Sequence, residues 1–409
     1  MRALKNCIFY PALIVPGLFY FPSCSKQEDA ENEYLISYTL LKQMTVLGIQ
    51  SFLQNASQVY SALDSLPADF RYDVSVYSVN YPVNFQGKTI TASGVVCLPE
   101  AKETFGIISF QNGTNTLHEA APSRDIFNGL YTLIESAASY GFIIVIADYI
   151  GFGSSEQILH PYYHRESNDL AVANLILAAK ELTNERNIQA KCNENIFLMG
   201  YSQGGWATLS ASKYIEQMVP SGLSVNAISC GAGAYQLIPF CQHVLSLVTY
   251  PTPYYLPYFI EFHRQNGMLT DPLSLFFREP YASRIPGLFN GNFSGDEINL
   301  QLTDTVAMLV TENLKNHFIN GAEFVALRNE LEKNSVYGWS TEIPVRFYHG
   351  TADDNVYFRQ SELLHEEMLR QSFSKGSISL YLLDGLNHQT ALVPWGVATI
   401  KWFLSISSL

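Results

Sequence analysis

The spacing of apolar residues changes twice along the chain, and each change marks a different class of element. From Glu31 to Ser65 the positions Leu35, Tyr38, Leu41, Leu47, Ile49, Phe52, Leu53 and Val59 recur at helix-like intervals, which predicts an N-terminal helical extension. Arg71–Pro82 and Lys88–Pro99 alternate apolar and polar residues instead, the period of a strand with one buried face, and predict an antiparallel edge pair. Beyond Gly106 the strands become short runs that are apolar throughout: Gly106–Phe110, Phe142–Ala147, Asn195–Met199, Val225–Ser229, Pro344–Tyr348 and Ser377–Leu383. Such runs suit strands buried on both faces. Helical stretches separate them, around Leu130–Tyr140, Ser167–Thr183, Gly204–Val219, Tyr357–Gln371 and Gln389–Phe403. This alternation predicts an α/β fold, a mostly parallel central sheet with helices on both faces.

One interval breaks the rhythm. From about residue 234 to 340 no sheet strand is expected, and a stretch that long inside a compact domain must have structure of its own. It is rich in aromatics, among them Tyr250, Tyr254, Tyr255, Tyr258, Phe259, Phe262, Phe276, Phe277, Tyr281 and Phe289, and helical periodicity returns over 303–333. The expectation is a helical cap inserted between two strands. Most of its aromatics would form a small second core, and a few would line an apolar pocket.

Composition narrows the setting. The 409 residues carry a formal charge of −13, and losing Arg2 and Lys5 with an export signal would leave about −15 (−13 minus 2), which argues against nucleic acid as a partner. Residues 1–23 read as that signal: Arg2 and Lys5 precede an apolar run from Ile8 to Phe21, shorter than a membrane span. The end of the run, Phe21, Pro22, Ser23 and Cys24, is similar to a bacterial lipoprotein cleavage site, which would place a lipid on Cys24. Phe21 and Pro22 stand where leucine-like and small residues are commoner. The mature chain is then expected at the outer membrane or cell surface, or otherwise periplasmic or secreted. Residues 24–70 form a tether and the helical extension, and 71–409 the main domain. Of six cysteines, Cys97, Cys192, Cys230 and Cys241 remain; Cys230 and Cys241 are the pair nearest in sequence for a disulfide, with buried free thiols as the alternative. No spacing suggests a metal site or a phosphate loop: His365–Glu366 and His118–Glu119 lack a second histidine four residues on, and Gly151–Gly153 lacks a third glycine.

Chemistry concentrates where the Asn195–Met199 run meets Gly200, Tyr201, Ser202, Gln203 and Gly204, a G-x-S-x-G pattern followed by helical spacing at Trp206, Leu209, Tyr214, Ile215 and Met218. Glycines flank a sharp strand-to-helix turn that exposes the serine hydroxyl. Chance supplies three such positions in about one chain in eight of this length, so the serine's partners have to decide. A serine nucleophile needs a base, and the base needs a carboxylate to orient it, in chain order Ser, acid, His for this kind of sheet. Asp353 and Asp354 follow the Pro344–Tyr348 strand, and Asp384 and His388 follow Ser377–Leu383, each at the end of a strand where ligand crevices form.

On these residues the chain resembles the α/β-hydrolase superfamily over about 71–409. Gly200–Gly205, Asp148–Gly153 and His349–Asp353 are similar to its secretory lipase and esterase branch, whose members keep a helical lid where this chain has its insertion. The resemblance implies a catalytic triad of Ser202, His388 and Asp353, with Asp354 as the alternative acid and Asp384 as loop support. It implies no cofactor, and a small-molecule, lipid or polysaccharide ester as substrate. An oxyanion hole would use the N–H of Gln203 and, from the loop Gln111–Asn115, that of Thr114. His349 would be structural, His118 a further site candidate, and Asp148 a supporting loop residue. The expected activity is that of a serine esterase or lipase. Amide hydrolysis by a peptidase with the same triad is the alternative, and a non-enzymatic surface-binding lipoprotein is a third reading.

Overall fold

The computed structural model describes residues 32–218, 223–371 and 377–407. The expected export signal and Cys24 lie outside the described residues. Among those described, no helix is long and apolar enough to cross a membrane.

The sheet has nine strands in the order β1-β2-β3-β5-β4-β6-β7-β8-β9. Here β1 is Ser37–Met44, β2 Val74–Phe85, β3 Lys88–Pro99, β4 Thr104–Gln111, β5 Phe142–Ala147, β6 Lys191–Tyr201, β7 Ser224–Gly231, β8 Val345–Gly350 and β9 Ile378–Leu383. The first three pair antiparallel, and β3 meets β5 antiparallel. From β5 through β4 and on to β9 every pairing is parallel. The wholly apolar runs explain themselves at β5, where Phe142, Ile144 and Ile146 join one core while Ile143, Val145 and Ala147 join the other. Two faces are buried, so both sets must be apolar. Helices α3 (Arg165–Leu182), α4 (Gln203–Met218) and α13 (Arg359–Gln371) pack in the core of Ile143, Val145 and Ala147. Helices α1 (Val46–Ser57), α2 (Gly129–Glu135) and α14 (Leu392–Ser407) cover the opposite face.

The N-terminal stretch departs from expectation. Residues 37–44 are strand β1, and only α1 is α-helical. Strand β1 pairs with the outer edge of β2 from Ser37 against Asn80 to Met44 against Val74, with an irregularity between Leu40 and Lys42. That irregularity upsets a clean two-residue alternation, which is why the apolar spacing mimicked a helix; pairing with an available edge overrides local pattern. Thr45 then ends the strand and caps α1, its side chain accepting from the Gly48 N–H at 3.1 Å. Lys42 reaches a buried Glu135 at 2.7 Å.

Between β7 and β8 the chain is helical: α5 (Leu237–Ser246), α6 (Tyr255–Gln265), α7 (Leu273–Phe276), α8 (Tyr281–Arg284), α9 (Gly295–Asn299), α10 (Val306–Leu309), α11 (Glu312–His317) and α12 (Val325–Asn334). Its aromatics are mostly core, with Tyr258, Phe259, Phe262, Phe276 and Phe277 buried. Trp206 on α4 donates to the carbonyl of Asn334 at the end of α12, at 2.9 Å.

Candidate active site

Strand β6 ends at Tyr201 and α4 begins at Gln203, leaving Ser202 alone at the turn with φ of 59°, a left-handed conformation costly for a serine. The close packing leaves room for glycine only. A Cβ on Gly204 would come within 1.9 Å of the Gln111 carbonyl oxygen, and one on Gly200 within 2.2 Å of that of Gly204. The Ser202 N–H donates to Gly231 at 2.9 Å, tying the turn to β7.

Three residues far apart in the chain meet here. Ser202 Oγ lies 2.9 Å from His388 Nε2, and His388 Nδ1 lies 2.7 Å from Asp353 Oδ2. An ionised carboxylate accepts only, so Nδ1 carries the ring proton and Nε2 is left to accept from the serine hydroxyl. All three are buried. Asp353 Oδ1 accepts from the N–H groups of Asn355 (3.0 Å) and Val356 (2.8 Å). Burial pushes its carboxyl up, but hydrogen bonds and charge from His349 and His388 outweigh that and bring it down to about 2, so it is ionised at neutral pH. The neighbouring Asp354 is exposed, and Asp384, also exposed, accepts from Thr351 Oγ1 at 3.2 Å. The loop 112–115 lies over the serine: a Cβ on Gly113 would stand 3.8 Å from that of Ser202. Among the described residues neither the Gln203 nor the Thr114 N–H has a hydrogen-bond partner. Asp148 is buried and accepts from Ser93 and Ser123, holding loops together.

His118 does not join this group; its ring packs against Gly291, where a Cβ would meet it at 2.1 Å. His349 is structural and more: Nε2 donates to the Val356 carbonyl at 2.7 Å and lies 3.3 Å from Asp353 Oδ2, while Nδ1 accepts from Ser361. Two neighbours escaped the sequence reading. Tyr201 donates its hydroxyl to the His388 carbonyl at 2.7 Å, 187 residues away. His160 Nδ1 donates to Ile150 and its Nε2 accepts from Gln203 Nε2 at 3.1 Å. Burial holds that imidazole down at about 4, hence neutral. Nothing in the local sequence signals either contact, because each depends on loops from distant strands. Cys97, Cys192, Cys230 and Cys241 are all free thiols, so the Cys230–Cys241 alternative resolves without a disulfide. Among the described residues no cluster of potential metal ligands occurs.

Beneath the helical insertion is an apolar pocket lined by Tyr162, Val244, Leu245, Tyr255, Leu309 and Val356 among others. It touches both sides of the site: Tyr162 bonds the Thr114 hydroxyl at 3.0 Å, and Val356 supplies an N–H to Asp353.

Residues 129–241 match the secretory lipase family. A search of the curated proteins gives no match. Among solved structures, a candidate hydrolase from Legionella pneumophila superposes with a TM-score of 0.81 at 25% identity, covering 91% of this chain and 98% of the other. The rice cell wall degrading esterase LipA of Xanthomonas oryzae gives 0.72 at 22% identity, over 92% and 96%. Candida antarctica lipase A in its closed state gives 0.65 at 15%, over 91% and 81%. These last two share the fold. The chain therefore has the α/β-hydrolase fold, and the secretory lipase match over 129–241 supports carboxylic ester hydrolysis.

Proposed function

We propose that Ser202 is the nucleophile of this ester hydrolase, His388 its general base and then acid, and Asp353 the group that orients the imidazole. The observation that carries this reading is the continuous hydrogen-bonded chain from Ser202 Oγ through His388 to Asp353 at a strained strand-to-helix turn. The hydroxyl attacks the ester carbonyl as Nε2 takes its proton, the alkoxide leaves with that proton, and water repeats the sequence on the acyl-enzyme. The N–H groups of Gln203 and Thr114, unpaired among the described residues, are the donors for the oxyanion; each such donor is worth about 2.7–4 kcal/mol in comparable enzymes.

The apolar cavity is the acyl pocket in this reading, because its lining residues reach both the Thr114 loop and the Asp353 loop. An apolar acyl group therefore fits better than a charged one. The match to a secretory family supports an exported enzyme. Ser202→Ala should lower p-nitrophenyl ester hydrolysis by at least about 10³-fold and abolish labelling by a fluorophosphonate. A variant that keeps near-normal turnover would refute the assignment. Esters of rising chain length then report the acyl pocket.

A further inference from the structure

The loop that supplies the second oxyanion donor is held from two sides. Upstream, Asn112 is fixed by the sheet: its side chain donates to the Ala147 carbonyl at 3.0 Å, and its own carbonyl accepts from Tyr149 Oη at 3.2 Å. Next comes Gly113, which has no side chain to hold it. Downstream, the partners belong to the insertion. Tyr258 on α6 donates its hydroxyl to the Asn115 carbonyl at 3.2 Å, Thr116 Oγ1 donates to Phe293 at 2.8 Å, and the His118 N–H donates to Gly291 at 2.8 Å. Thr114 itself is held through its hydroxyl by Tyr162 at 3.0 Å. The two tyrosines are one unit: their rings stack at 4.5 Å and 13°, and Phe289 of the insertion stacks on the other face of Tyr258 at 4.5 Å and 4°.

We propose that the helical insertion positions the oxyanion donor, with Tyr258 and Tyr162 as positioning residues that hold Thr114 over Ser202. The proposal rests on the reading of Ser202 as nucleophile and the Thr114 N–H as donor. A donor amide acts only when aimed at the place where charge develops, so a loop hinged at Gly113 requires a downstream brace. The insertion thus contributes to the chemical step as well as to the pocket, and its seating on the sheet sets kcat.

The test is Tyr258→Phe and Tyr162→Phe, which keep the stacked rings and remove only the hydroxyls, measured on a short-chain p-nitrophenyl ester. Deleting an oxyanion donor outright costs about 10²–10³-fold in kcat, and loosening one through its neighbour should cost about tenfold in each variant, with KM within twofold. Affinity for phenylboronic acid, which forms a tetrahedral adduct on the serine, should fall in the same proportion. Tyr140→Phe removes a buried hydroxyl bonded to Pro67 at 2.6 Å, remote from the loop, and should leave kcat unchanged whatever it does to melting temperature. The proposal is overturned if both variants keep wild-type kcat, if the loss falls on KM instead, or if boronate affinity does not follow kcat. A failure of the underlying reading would show separately, as wild-type enzyme that no fluorophosphonate labels.

Discussion

Replacing Asp353 by Asn is the sharpest test of the acid, because the geometry dictates what the amide would do. Oδ1 already accepts two backbone N–H bonds, from Asn355 and Val356, so the amide oxygen takes that place. The NH2 group then faces His388 Nδ1 at the position of Oδ2, 2.7 Å away, and beyond it His349 Nε2 at 3.3 Å. Two donors cannot share that contact, so His388 must move its proton to Nε2 and can no longer accept from Ser202. Loss of the base by a wrong tautomer costs about 10⁴-fold in kcat in a well-studied serine protease, or about 5 kcal/mol of barrier. Stability should change less. The carboxyl lies at about 2 in the folded protein against 3.8, and that depressed value contributes stability above pH 4 that fades as pH falls through 2. Its loss at neutral pH is worth about 2 kcal/mol. Steady-state kinetics on a p-nitrophenyl ester, with Asp354→Asn alongside and a urea melt of each, separates the effects. If Asp353→Asn stayed within tenfold of wild type while Asp354→Asn collapsed, the acid would be misassigned.

Other consequences can be measured on the same preparations. Ser202→Gly should relieve the strain of a positive φ and raise the unfolding free energy by about 1 kcal/mol over Ser202→Ala, with both inactive; equal melts would mean that the turn stores no strain. His160, His164 and His263 are buried and held by desolvation at about 4, 4 and 3, so the unfolded chain binds protons that the folded one refuses between pH 6.5 and 4. Asp169, raised by burial to about 6, works in the opposite sense between pH 6 and 4. His243 and His365 are lowered by burial too, and Glu135 and Asp148 raised, so the five histidines outnumber the three carboxyls and stability from urea melts should fall as pH is lowered from 6.5 towards 4; a flat profile would contradict it. Val244→Trp, which narrows the apolar cavity, should lower kcat/KM for long acyl esters several-fold while sparing acetate, and an equal loss on both would place the acyl group elsewhere.

The central strands were legible because burial on both faces leaves a run such as 142–147 without polar residues, and the serine turn because glycine alone fits beside it. Order and position after β8 and β9 point to His388 and to the 353–354 loop, and only the family pattern around His349 and Val356 favours Asp353 over Asp354. Strand β1 was not legible, since its partner lies thirty or more residues away on β2 and an irregular register hides its alternation. Nor were the supports of the site. The contacts from Tyr201 to His388 and from His160 to Gln203 exist only once the sheet has brought distant loops together, and a single tyrosine or histidine carries no local sign of such a role.

The end of the sheet opposite β1 is formed by β9, paired among the described residues with β8 alone and with Tyr381 and Leu382 exposed. His388 follows it within five residues, and its carbonyl is tied to Tyr201 at the end of β6, so the imidazole is held between an edge strand and the strand that carries the serine. An edge strand opens at lower free energy than the centre of the sheet. Loosening at that margin would reach the imidazole before the hydroxyl, and the bond from Tyr201 is what ties the two ends of the site together.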